Sequence, residues 1–97
     1  MNEAQSSGHF VCQRADDLVL RAFQDGVVVY DESDGSVRAL TPSAGLALEI
    51  CKTTVLITAS ELADRLGLSE PTEEELVSVV SLLQQMKTMG FLEHVST

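Results

Sequence analysis

The feature that most limits what this chain can fold into is a change of hydrophobic period at a single joint. Up to Leu40 the apolar residues come in short runs rich in β-branched and aromatic types, Leu18 to Phe23, Val27 to Tyr30 and Val37 to Leu40. After Thr41 they recur at the 3.6-residue spacing of helices. At the joint, Thr41 offers a side-chain oxygen as an N-cap. Pro42 fits the first helical position, where a missing N–H costs nothing. A strand that runs straight into a capped helix has its angle to that helix fixed, so the strands and helices form one packed unit.

Turn residues divide the first half. Gln24, Asp25 and Gly26 separate the first two runs, and Ser33, Asp34 and Gly35 supply a hairpin loop before the third. The expectation is a three-stranded antiparallel meander whose apolar face the second half must cover. In the first helix Ala44, Ala47, Leu48 and Cys51 share one face, with Leu46 and Ile50 flanking it. Thr58 with Glu61 predicts a capping box for a short second helix carrying Leu62, Ala63 and Leu66, with Gly67 as its stop. Thr72 with Glu75 repeats the device for a third helix. Its inner stripe is Leu76, Val79, Val80, Leu83 and Met86, its apolar arc is widened by Leu82 and Met89, and Gly90 caps it. Phe91 and Leu92 are expected to fold back as an anchor. Residues 1–10 are small, polar and aperiodic and read as a mobile tail, leaving a single domain over 11–97. The fold class is α+β: a three-stranded antiparallel sheet followed by three helices, in the manner of a winged helix-turn-helix.

Composition narrows the function. With 97 residues, 44% of them apolar, one small core can form but not one that encloses a large substrate, so surface binding is expected before a buried active site. Fifteen acidic against six basic residues give a net charge of -9, and the basic residues are scattered, which disfavours nucleic acid as a partner. No apolar run approaches the length of about 20 residues that spans a bilayer, and MNEAQSSGHF lacks the regions of a signal peptide, so the expectation is a cytoplasmic protein without a membrane partner. Cys12 and Cys51 form no C-x-x-C pair and read as free thiols; with His9 and His94 they match no zinc spacing. No catalytic grouping, phosphate loop or metal motif is present, so neither enzymatic activity nor a cofactor is expected.

The order of elements and the residues at their joints resemble the PqqD family of peptide chaperones, the precursor-recognition domains of ribosomal peptide maturation. The resemblance covers Leu18 to Glu93 and is carried by Leu40-Thr41-Pro42-Ser43-Ala44-Gly45-Leu46, by Ser60-Glu61-Leu62-Ala63, and by Leu83, Met86, Gly90, Phe91 and Leu92. Thr41 stands where the family commonly has Asn, another N-cap former, and Lys52-Thr53 stands where an Asp-Gly is usual. The stretch from Tyr30 to Leu40 is similar to the members encoded near HPr-kinase-like proteins.

What the resemblance implies is a non-catalytic module that takes a precursor, or leader, peptide as an added strand beside the third strand and presents it to a modifying enzyme. The implied binding residues are Val37, Arg38, Ala39 and Leu40 on that strand and Val79, Leu82, Met86 and Met89 on the third helix. Physical chemistry agrees with such a mode, because an edge strand offers unpaired N–H and C=O groups and methionine stems repack around varied side chains. The same open edge can pair with a second copy of the chain, so a structural or dimerising module is the alternative, and a winged-helix DNA-binding regulator a more distant one. The charge argument makes a prediction against the latter. In a labelled-duplex titration at moderate salt the protein should not bind; micromolar affinity that weakens linearly with the logarithm of salt would restore the regulator.

Overall fold

At the joint, Thr41 Oγ1 accepts a hydrogen bond from the Ala44 N–H at 3.1 Å, and Pro42 opens the first helix, α1 (Pro42–Lys52). These geometries come from a computed structural model, which describes residues 8–95. Ahead of α1 lie β1 (His9–Val11), a single 3-10 turn at Ala15–Asp17, β2 (Leu18–Phe23), β3 (Gly26–Asp31) and β4 (Ser36–Leu40). After it come α2 (Ala59–Arg65), α3 (Glu73–Thr88) and β5 (Glu93–Val95). The protein is α+β, and a three-stranded antiparallel sheet in the order β2-β3-β4 precedes the three helices, as its sequence predicts.

The register sorts the sheet into two faces. Leu20 pairs with Val29, and Val29 with Arg38, on the side facing α1. Arg21 with Val28, and Tyr30 with Val37, lie on the other side. α1 packs against all three strands. It approaches closely because its inner stripe is small: Ala44, Gly45 and Ala47 are buried alongside Leu48 and Cys51. A β-carbon on Gly45 would fall inside van der Waals contact with the Val27 side chain. The helix therefore sits at a distance that only glycine allows at this position.

The second and third helices start and stop by the same chemistry. Each has a capping box, Thr58 with Glu61 and Thr72 with Glu75. In each the threonine oxygen accepts at 3.1 Å and the glutamate accepts the threonine N–H at 2.9 Å. Gly67 and Gly90 take left-handed φ values of +95° and +88°. The next residue then bonds back into its helix, Leu68 N–H to the Ala63 carbonyl at 3.0 Å and Phe91 N–H to the Met86 carbonyl at 2.9 Å. That reversal, the Schellman pattern, turns Leu68 and Phe91 onto the helices they have just left. Phe91 and Leu92 are buried, as an anchor should be.

One boundary read from sequence is corrected. The tail assigned to residues 1–10 lies outside the described residues up to position 7, but His9–Val11 is a strand and Phe10 is core. The cause is pairing that local pattern does not reveal. β1 runs antiparallel to β5, and Phe10 exchanges two backbone bonds with Ile57, at 2.8 and 3.0 Å. The connector Thr53–Ile57 is thus ordered by a strand far away in sequence. Arg14 fastens the same N-terminal segment. Its guanidinium donates to Asp31 Oδ1 at 3.0 Å, Ser33 Oγ at 3.1 Å and the Gly90 carbonyl at 2.9 Å, and lies 2.9 Å from Asp31 Oδ2. These bonds, with donation from Ser33, hold the buried Asp31 carboxyl well below the usual carboxylate range.

The close approach at Gly45 sets a test. Gly45→Ala should destabilise the protein by about 1–2 kcal/mol in urea unfolding, the overpacking outweighing the roughly 1 kcal/mol that alanine gains over glycine within a helix. Adding Val27→Ala should recover most of the loss. A Gly45→Ala protein as stable as the parent would mean that α1 lifts off the sheet without cost.

Candidate functional site: a free strand edge beside an apolar cleft

β4 pairs with β3 on one side and with no described strand on the other, so alternate residues along it turn their N–H and C=O groups outward. The period of two splits the four strand residues implicated from sequence. Arg38 and Leu40 project to the side covered by α1, Arg38 exposed and Leu40 buried. Val37 and Ala39 project to the opposite face, and both are exposed. Arg38 has no ion-pair partner among the described residues. It remains a cation on the helix side of an open edge, on a strongly acidic chain.

The helix residues implicated from sequence do not form one surface. Leu82 is half-buried, and Val79 is 3% exposed at the base of a cleft of about 420 Å3 that both residues line. Met86 is 1% exposed and lies in the core beside Leu83, which corrects its assignment to a groove wall. The physical reason is rotation: Val79, Leu83 and Met86 follow one another at three- and four-residue steps on the stripe that faces inward. Met89, at the helix end, packs partly buried against that core, away from the cleft lining.

The groove itself is also displaced from its expected place. α3 packs on α2 and α1, and the helix that packs on β4 is α1. The cleft lies accordingly between α1 and α3, with Ser43 and Leu46 on one wall, Ser78, Val79 and Leu82 on the other, and Leu66 and Leu68 closing its end. Leu46 is 49% exposed because it lies off the inner stripe of α1. The Gly67 reversal brings Leu68 to its place. Ser43 follows the last residue of β4 by three positions, so the cleft wall begins just past the end of the free edge in the chain, and no residue of β4 itself lines the cleft. Glu75 stands at its mouth, one carboxylate oxygen accepting the Thr72 N–H.

The two thiols are locked away. Cys12 and Cys51 are both buried, and burial raises both thiols, Cys51 to about 12, so they stay protonated near neutral pH. Lys52 donates to the Leu18 carbonyl at 2.6 Å. What the site offers is main-chain pairing and an apolar socket. The comparison of Met86 with Leu82 is open to test by denaturant unfolding. Met86→Ala should cost about 2–4 kcal/mol as a core cavity, and Leu82→Ala less than about 1.5 kcal/mol. Equal losses would mean that the cleft is closed core.

No family model, curated protein or solved structure matches the chain, so the geometry of edge and cleft is what a functional reading has to rest on.

Proposed function

We propose that the protein is a non-catalytic, cytoplasmic peptide-binding chaperone of the PqqD-like kind. It captures a precursor peptide by strand addition at β4 and presents it to a modifying enzyme. The observation that carries this reading is an unpaired strand edge followed three residues later in the chain by the wall of an apolar cleft. An extended peptide laid antiparallel or parallel to β4 gains main-chain hydrogen bonds, and alternate side chains fall on the helix side of the sheet. In the cleft past the end of β4, Leu46, Leu68 and Leu82 give an apolar residue of the peptide a place to leave water. Arg38, on the same side, favours an acidic residue at an adjoining position of the peptide. Main-chain pairing supplies affinity that tolerates sequence variation, while the cleft and Arg38 set the register. Among the described residues no helix is long and apolar enough to cross a membrane.

The test is a chemical-shift or anisotropy titration with the precursor peptide encoded beside the protein. Leu82→Asp places a charge in the cleft and should weaken binding by about tenfold or more while the protein stays folded. Proline at Arg38 and proline at Ala39 form a matched pair, because only one of two neighbouring residues turns its N–H to the free edge. The variant that keeps its fold should lose binding. Shifts centred on the outer face of α2 around Arg65, or full affinity in folded Leu82→Asp, would remove the cleft from the mechanism. Self-association competed away by the peptide would place a second copy at the same edge.

A further inference from the structure

The central strand reads Val27-Val28-Val29-Tyr30, apolar at every position, which is the pattern of a strand covered on both faces. Among the described residues only one face is covered. α1 lies on the side of Val27 and Val29, whereas on the other side Phe23 is 59%, Tyr30 40% and Val37 56% exposed. Val19 and Val28 fill in between them, half-buried. The sole charge that the three strands place on this outer face is Arg21, exposed and without an ion-pair partner among the described residues. Glu32, on the rim of the hollow that runs past Arg21, Phe23 and Tyr30, does not reach it. Aromatic and aliphatic side chains around one exposed arginine make a composition typical of the energetic centre of an interface.

The geometry points to the outer face of the sheet as a second docking surface, whose occupant is an amphipathic helix of a partner protein carrying an acidic side chain among its apolar ones. Size selects a helix. Three strands about 4.8 Å apart and five or six residues long present a face roughly 14 Å by 20 Å, room for one helix about 10 Å wide and three to four turns long. The inner face of the same sheet, with the same breadth, is covered by the eleven residues of α1. Charge counts against a second copy as the occupant. A two-fold stack would oppose Arg21 to its own duplicate between two chains of net charge -9. The surface lies on the opposite side of the sheet from the α1–α3 cleft, so a peptide at β4 and a helix on this face can be held at once. The inference stands whether or not β4 takes a peptide.

A designed helical peptide of about 18 residues tests it, with leucines at i, i+3, i+4 and i+7 and one glutamate beside them. Titrated into isotope-labelled protein, it should shift the amides of β2, β3 and β4 saturably. Arg21→Glu should weaken it about fivefold or more. The same peptide with lysine in place of glutamate should reverse the preference, binding Arg21→Glu more tightly than the parent. Val37→Asp, at an exposed position that leaves the core intact, should weaken both peptides. Leu82→Asp should change neither, which separates this surface from the cleft. Shifts that do not saturate, or that map to the α1–α3 cleft, would overturn the assignment. So would indifference of both peptides to Arg21→Glu. A concentration-dependent dimer in sedimentation that Val37→Asp abolishes would give the face to a second copy and overturn it equally.

Discussion

The spacing between α1 and the sheet is set by Gly45 against Val27, and most of the molecule takes its position from that contact. With α1 drawn close, Leu48 and Cys51 reach Val29 and Leu18 in a common core, and Phe10 can pack into it from β1. α2 and α3 then build on α1, so a helix held farther out would move both walls of the cleft. Small residues serve here as a spacer whose size the whole second half inherits. The direct strand-to-helix joint at Thr41 adds angular control to this control of distance.

Charge is distributed in a way that matches these layers. The acidic residues that open α3 suit the helix dipole at that end. Asp31, buried, is held by Arg14 with its second oxygen also engaged, and the pair ties three distant segments together: the strand entry, the β3–β4 loop and the end of α3. Arginine suits this role because its fork addresses the carboxylate with two nitrogens while a third contact goes to a backbone carbonyl. Arg21 and Arg38, by contrast, stand on the two sides of one sheet with no ion-pair partner among the described residues, within a chain that has few cations to spare.

Much of the fold was legible because its signals are local. Thr41-Pro42, the two capping boxes and the glycines at 67 and 90 each act within a few residues, and the structure has them where the sequence puts them. The pairing of His9–Val11 with Glu93–Val95 was not legible, since three-residue strands carry too little pattern to announce a partner some eighty residues away. The candidate site was half legible. Leu82 and the edge position of β4 follow from an over-wide apolar arc and from strand order, but Met86 could be placed only by knowing how α3 is rotated against its neighbours. Leu46 and Leu68 carried signals that were available. One lies off its helix's inner stripe, and the other follows a terminating glycine whose geometry folds it back. The uncovered sheet face, too, was written in the unbroken apolar run of β3, which a reading in search of alternation passes over.

The pairing of β1 with β5 has a mechanical consequence. His9 faces Val95 at the outer end of the ribbon, and the two strands run inward from there to Val11 and Glu93. Tension applied through the two ends of the chain therefore loads this ribbon one pair at a time, as in unzipping, and the backbone bonds cannot share the force. Once the three pairs have parted, the load passes to the two bonds between Phe10 and Ile57 and to the Arg14 fork, while β2-β3-β4 and α1 remain slack. The fold would yield first at its seam, and the sheet that carries both proposed binding surfaces would be the last part to feel the pull.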